Sequence, residues 1–380
     1  MNSTERHEMR YQRRKAEREA KIAARAAACG DFSTVFSYGN LYRAGKMCCR
    51  GVRWKASTQR FEANIATNTQ KLNAELESGT YKGRGFIEFG LMERGHYRWI
   101  RSVHITERAV QKALCVGVLR PVFGPSFIYD NGASIKGKGM DFALDRLEGQ
   151  LHRHYRKHGR RGGILQWDFS GYFDSIPHAP LTAEARRRIV DERLVNLYQM
   201  FVDAFGPVGM GLGSEISQIS ALLAASPIDH YFKDQMSVKG YGRYMDDGYT
   251  ISEDLGFLKT CLARLREMAR RIGLKLNEMK TRIVKLTHSF TFLKMRFLLT
   301  ETGAVIRRLA RENITKQRRK LKKFHRWFLE GKMTIEDILT SYTSWRGHAR
   351  RARSYRTLKS MDGLFRALFG KESLPCHLSY

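Results

Sequence analysis

The sequence predicts an α+β fold, and three stretches predict it. GYGRYMDDGYTI, residues 240–251, sets aromatic and β-branched residues around an acidic pair, the pattern of strand, tight turn and strand. RGGILQWDFSGYFDSIPH, residues 161–178, holds an apolar run that ends at Asp168, as a buried strand would. ITKQRRKLKKFHRWFLEGKM, residues 314–333, spaces Leu321, Phe324 and Phe328 at i, i+3 and i+7 on one helical face, with Lys and Arg on the other.

The remaining elements follow from local composition. Residues 1–30 are rich in Ala, Arg and Glu, strong helix formers with no apolar face to bury, so the segment reads as a solvated helix or one ordered on RNA. Residues 35–85 read as helical, with GTYKGRGF as a loop. MERGHYRWIRSVHITERAVQKAL, residues 92–114, predicts two strands turning at Gly95 and then a helix. IYDNGASIKGKGMDFAL, residues 128–144, is a Gly- and Lys-rich loop entering a helix, and residues 181–205 form a further helical stretch. A last basic helical segment, residues 334–361, carries Trp345 and Tyr355, whose rings suit core packing or stacking on bases.

Composition narrows the partners. The 380 residues carry 68 Lys and Arg against 37 Asp and Glu, a net charge of +31. That excess exceeds what solubility requires and points to a polyanion. No apolar stretch reaches the roughly 18 residues needed to span a membrane, and MNSTERHEMRYQRRK lacks the apolar core of a secretory signal. Nucleic acid is therefore the expected polyanion. The six cysteines form no C-x-x-C pair, which argues against zinc and for reduced thiols in a cytoplasmic protein.

The acidic positions suggest a chemistry. A hairpin tip that aims Asp246 and Asp247 into a cleft, beside Asp168 at the end of a buried strand, would hold two divalent cations roughly 4 Å apart. Mg²⁺ takes oxygen ligands and is held by one or two carboxylates plus substrate phosphates. Taken alone, an Asp-Asp pair is more often a turn. The second acidic segment upstream is what favours the metal reading.

The Y-x-D-D box at Tyr244–Asp247 and the D-x-x-x-x-F box from Asp168 to Phe173 resemble the palm of a reverse transcriptase. The resemblance implies a right-hand polymerase fold with fingers, an antiparallel palm sheet and a helical thumb. It implies Asp168, Asp246 and Asp247 as catalytic metal ligands for two Mg²⁺, with Mn²⁺ as an alternative. Phe173 would be the steric gate that excludes a 2′-hydroxyl and selects deoxynucleotides, and its neighbour Phe169 joins the dNTP set. Leu212-Gly213 followed by Ser217-Gln218 resembles the L/I-G-x-x-x-S-Q variant of diversity-generating retroelement and bacterial defence-associated reverse transcriptases. Gln218 would touch the incoming nucleotide or the template base, although a Ser-Gln pair also suits helix capping. Lys280 in LKLNEMKTRIVK would lie near the triphosphate, and SFTFLKMRF, residues 289–297, resembles the primer-grip hairpin. Arg98, and less directly Arg101, fit the fingers position that grips the triphosphate, for which a guanidinium is suited. Lys136 and Lys138 in the Gly-rich loop, and Arg318, Arg319, Lys322 and Lys323 on the basic helix, are the expected nucleic-acid contacts.

The predicted organisation is a basic N-terminal extension over 1–40, fingers over 41–160, palm over 161–300 and thumb over 301–380. The expected function is RNA-directed DNA synthesis from dNTPs on a dedicated noncoding RNA, yielding cDNA, in the cytoplasm of a bacterium or from a phage gene, in antiphage defence. The competing readings are a diversity-generating retroelement enzyme and a catalytically idle RNA-binding scaffold. An RNA-synthesising polymerase is disfavoured by the Phe173 gate. A protein partner or a second copy of the chain remains open, and no membrane is expected.

Overall fold

The computed structural model describes residues 3–93 and 96–370. The expected turn at Gly95 lies outside the described residues, as does Cys376. The chain forms two compact units, one of Met1–Lys136, Phe169–Ser237 and Ala263–Asn277, the other of Gly137–Asp168, Val238–Leu262 and Glu278–Tyr380. Mixed helix and antiparallel sheet, the predicted class, is what forms.

The first unit is mainly helical. The helix Ser3–Ala28 has the expected composition, with an exposed Arg13–Glu17 pair one turn apart at 2.9 Å. Near its end Ala26 is buried. β1 (Phe86–Glu93) and β2 (His96–Val103) pair antiparallel, with Leu91 opposite Arg98. The helix Ile105–Leu114 packs on Tyr38–Cys49 and on Glu215–His230. The predicted helical stretch over 181–205 is two helices, His178–Arg188 and Glu192–Asp203. Asp191 starts the second by accepting from the Arg193 amide, so the helix is re-initiated rather than continued.

The second unit holds two sheets. β3 (Gly163–Trp167), β4 (Gly240–Tyr244), β5 (Asp247–Ser252) and β6 (Arg282–Lys285) lie in the order β4-β5-β3-β6, all neighbours antiparallel. β3 is buried along its whole length, so Ile164, Leu165 and Trp167 do not alternate with exposed residues, and the buried Gln166 amide donates to the Thr291 carbonyl at 2.7 Å. β7 (Phe290–Phe292), β8 (Met295–Leu299) and β9 (Val305–Leu309) form a meander. Leu144, Leu147 and Leu151 of the helix Met140–His158 join Ile164, Phe290 and Phe297 in one core.

A second core belongs to the helices Arg311–Leu329, Ile335–Arg350 and Tyr355–Phe369. Leu321, Tyr342 and Phe365 are its buried centre. Phe324 is buried as its spacing predicts, but Phe328 is 39% exposed, because it lies in the last turn, where the packed face runs out. Trp345 packs in the core and stacks on Tyr342, whereas Tyr355 is exposed.

Arg346 and Asp362 form a buried bidentate pair within this helical core, and Tyr342 donates to the same carboxylate at 2.6 Å. Removing one partner strands a buried charge. Asp362→Ala is expected to cost about 3–5 kcal/mol in chemical denaturation. A loss under 1 kcal/mol would show that the pair is not the locking contact of this helical bundle.

Candidate active site

The sheet register brings the three acidic residues together. Trp167 pairs with Gly248 across β3 and β5, so the next residue on each strand places Asp168 alongside Asp247. Tyr244 pairs with Asp247, which leaves Met245 and Asp246 as a two-residue loop. Gly248 is required here: a Cβ would come 2.2 Å from the Trp167 indole. Met245 takes φ +55, while Asp246 is not in the left-handed region. A positive φ at the first loop position alone is the II′-type geometry, usually given to Gly.

Electrostatics mark the cluster. Asp168 is 3% exposed. Burial pushes the Asp247 carboxyl up to about 7, and the charges of Asp246 and Asp168 add to the shift. Asp246 is also raised, by burial first and then by the charge of Asp168 and a hydrogen bond shared with it. Two carboxylates pushed up by burial, beside a third, favour a bound cation. Lys280 already supplies one positive charge, in a close ion pair with Asp168. That hydrogen bond is the main cause that raises the Lys280 pKa.

Asp168, Asp247, Lys280, Arg282, Phe292 and Leu293 line a cleft of about 240 Å³. Beside it, Leu293 and Lys294 close the β7–β8 turn with φ of +47 and +66, both without a glycine. Among the described residues, no group of three or more His, Cys, Asp or Glu forms a ready-made metal cage. The donor set instead fits a hard cation whose remaining ligands come from substrate phosphates.

The remaining predicted residues fall in two sets. In the first unit Phe169 is buried, stacked on Tyr172, and bridges to Leu276. Phe173 is half-buried, edge-on to Tyr172, and its carbonyl accepts from the Met210 amide at 2.7 Å. Gln218 accepts at Oε1 from the Ser134 hydroxyl at 3.1 Å, which ties it to the Gly- and Lys-rich loop. Arg101 pairs with Glu88 at 3.0 Å and donates to the Phe205 carbonyl. Arg98 stands in β2, and its side chain lies outside the described residues. Lys136 is exposed.

In the second unit Lys138 lies over the Phe142 ring and Lys323 over the Trp327 ring. Arg318, Arg319 and Lys322 line an open cleft of about 360 Å³ with Thr315 and Ser360, and none of the three cations has an ion pair among the described residues. One sequence expectation needs correction. The Ser217-Gln218 pair does not cap the helix Glu215–His230; Ser214 does, accepting from the Ser217 amide, and Ser217 is buried in the first turn. Sequence reasoning also passed over Arg243, 1% exposed in the β4–β5 hairpin. An Arg between Gly242 and Tyr244 in an otherwise uncharged strand was the available signal.

The family model "Reverse transcriptase (RNA-dependent DNA polymerase)" matches residues 84–297, more than half of the chain. The chain is 25% identical over 188 residues to "Protein YkfC" of Escherichia coli (strain K12), a match covering 46% of this chain and 48% of that protein. The chain thus spans about half the length of that curated relative. Among solved structures, telomerase from Candida albicans in complex with the TWJ fragment of telomeric RNA aligns with a TM-score of 0.47 and 12% identity, covering 78% of this chain and 56% of that one.

Proposed function

The chain belongs to the reverse transcriptase (RNA-dependent DNA polymerase) family, and on that premise we propose that it copies an RNA strand into DNA by nucleotidyl transfer. The observation that carries the reading is the β3–β5 register that sets Asp168 beside Asp247, with Asp246 in the adjoining loop. These three carboxylates would hold two divalent cations, Mg²⁺ by the hardness of the oxygen set. When bound, the cations supply the charge that activates the primer 3′ oxygen and steadies the leaving pyrophosphate.

The protein's own groups do the rest. Lys280 stays protonated on Asp168 and offers its ammonium to a triphosphate entering the cleft. Arg98 and Arg101 would grip a triphosphate, and Gln218 would contact the nucleotide or template base. Lys136, Lys138, Arg318, Arg319, Lys322 and Lys323 would hold nucleic-acid phosphates without reading sequence. In this reading residues 41–160, 161–300 and 301–380 act as fingers, palm and thumb.

Phe173 would exclude ribonucleotides by filling the space of a 2′-hydroxyl. Phe173→Ala should reduce the preference for dNTPs over rNTPs on the order of 10²-fold, read by primer extension on an RNA template. An unchanged ratio would remove Phe173 from the gate.

The Leu212-Gly213 and Ser217-Gln218 pattern suits two settings, and the one we favour is antiphage defence with a dedicated noncoding RNA as template; a structured noncoding RNA beside the coding sequence, without repeats, would support it. Template and variable repeats beside the coding sequence would turn the reading to a diversity-generating retroelement. No described helix is long and apolar enough to cross a membrane.

A further inference from the structure

We infer that Arg243 is a positioning residue that clamps the catalytic hairpin from the face opposite the carboxylates, holding Met245 in its left-handed conformation so that Asp246 is aimed for metal binding. The inference rests on the reading of Asp246 and Asp247 as metal ligands.

Four observations carry it. Arg243 is 1% exposed, among the largest fully buried side chains of the protein. Its Nη1 donates to the Met245 carbonyl at 2.8 Å, a contact two residues along the same chain that spans the start of the loop. Met245 has φ +55, a region that side-chain-bearing residues avoid unless their surroundings impose it. Arg243, Gly248 and Trp167 form one row across β4, β5 and β3 and therefore share a face of the sheet. Strand alternation puts Asp247 on the other face, so Arg243 acts through the backbone of the loop and not on substrate.

The chemistry suits the task. A guanidinium is rigid, always charged and rich in donors, so one buried group can fix a carbonyl without losing its proton. A glycine in the loop would reach the same conformation unaided. The protein combines a side-chain-bearing loop residue with an arginine beneath it.

A double-mutant cycle tests the clamp. Arg243→Lys is made alone and together with Met245→Gly, and each protein is assayed on poly(rA) primed with oligo(dT), with dTTP and titrated Mg²⁺. Arg243→Lys alone should lower kcat at least tenfold, leave the KM for dTTP within twofold and raise the Mg²⁺ concentration needed for half-activity. Set against Met245→Gly alone, the added Arg243→Lys should cost less than threefold, because a glycine holds the loop without the clamp. Equal losses in both backgrounds, or a loss confined to KM, overturn the inference. If Arg243→Lys does not fold, the double variant decides: a folded, active protein supports the clamp, and an unfolded one overturns it. Extension by the wild-type chain separately tests the polymerase reading on which the clamp rests.

Discussion

Asp246→Ala combined with Asp247→Ala should abolish DNA synthesis while leaving RNA bound. Both residues sit in or beside the two-residue loop of the β4–β5 hairpin, and both are raised by burial and by the charge of Asp168. Losing these carboxylates removes metal-derived stabilisation of several kcal/mol, so primer extension should fall by about 10³-fold or more. The chain keeps its net charge of +31 nearly intact, so phosphate contacts, which supply most sequence-independent affinity, should survive. Sequencing the nucleic acid that co-purifies with each protein checks both halves. The wild type is expected to carry DNA complementary to a bound RNA, and the double variant RNA alone. If both carry RNA only, under conditions where the wild type is supplied with dNTPs and Mg²⁺, the idle scaffold becomes the better reading.

The second large effect is a pH dependence that runs against the usual carboxylate pattern. Asp247 in the folded chain titrates near 7, well above its ordinary value of 3.8, because it is buried beside two other carboxylates. The folded protein therefore takes up a proton as pH falls through 7, while the unfolded chain does so only near 4. Between those values protonation favours the fold. Metal-free protein should gain stability as pH falls from 8 to 6, on the order of 1–4 kcal/mol at full effect, or several degrees in Tm. Mg²⁺ competes with that proton, so its stabilising effect should be larger at pH 8 than at pH 6, and polymerase activity should rise through pH 7. Differential scanning calorimetry of wild type and Asp247→Asn, with and without Mg²⁺, isolates the effect. A wild-type Tm that tracks the variant at every pH would show that Asp247 ionises normally and that the carboxylates do not crowd one another.

The legibility of this chain was uneven for physical reasons. Asp168, Asp246 and Asp247 could be read because acidic residues at the ends of apolar strands are costly unless something uses them. The hairpin itself was equally plain, since alternation of period two flanks the loop. Lys280 was expected near a triphosphate, and its pairing with Asp168 was not legible, because that contact depends on how residues 278–281 return past β3. Phe328 was read as core from its spacing and is partly exposed, since periodicity names a face and not where a neighbouring helix ends. The Ser-Gln pair was weighed as a cap. Ser214 takes that role because the cap is the last residue whose backbone is still extended before the helix, a property of φ and ψ rather than of residue type alone.

The sequence by itself determined the mixed helix and sheet class, the three acidic positions that the fold brings together and the net positive charge that predicts a nucleic-acid partner. Each of these follows from local pattern or from total charge, which survive without knowledge of neighbours. Only the tertiary structure decided that Asp168 stands beside Asp247, that Lys280 pairs with the former, that Gly248 admits the Trp167 indole and that Arg243 is buried and bonded to the β4–β5 loop. Those facts depend on strand register and burial, which arise from contacts between segments distant in the chain and are set by the packing of the whole sheet.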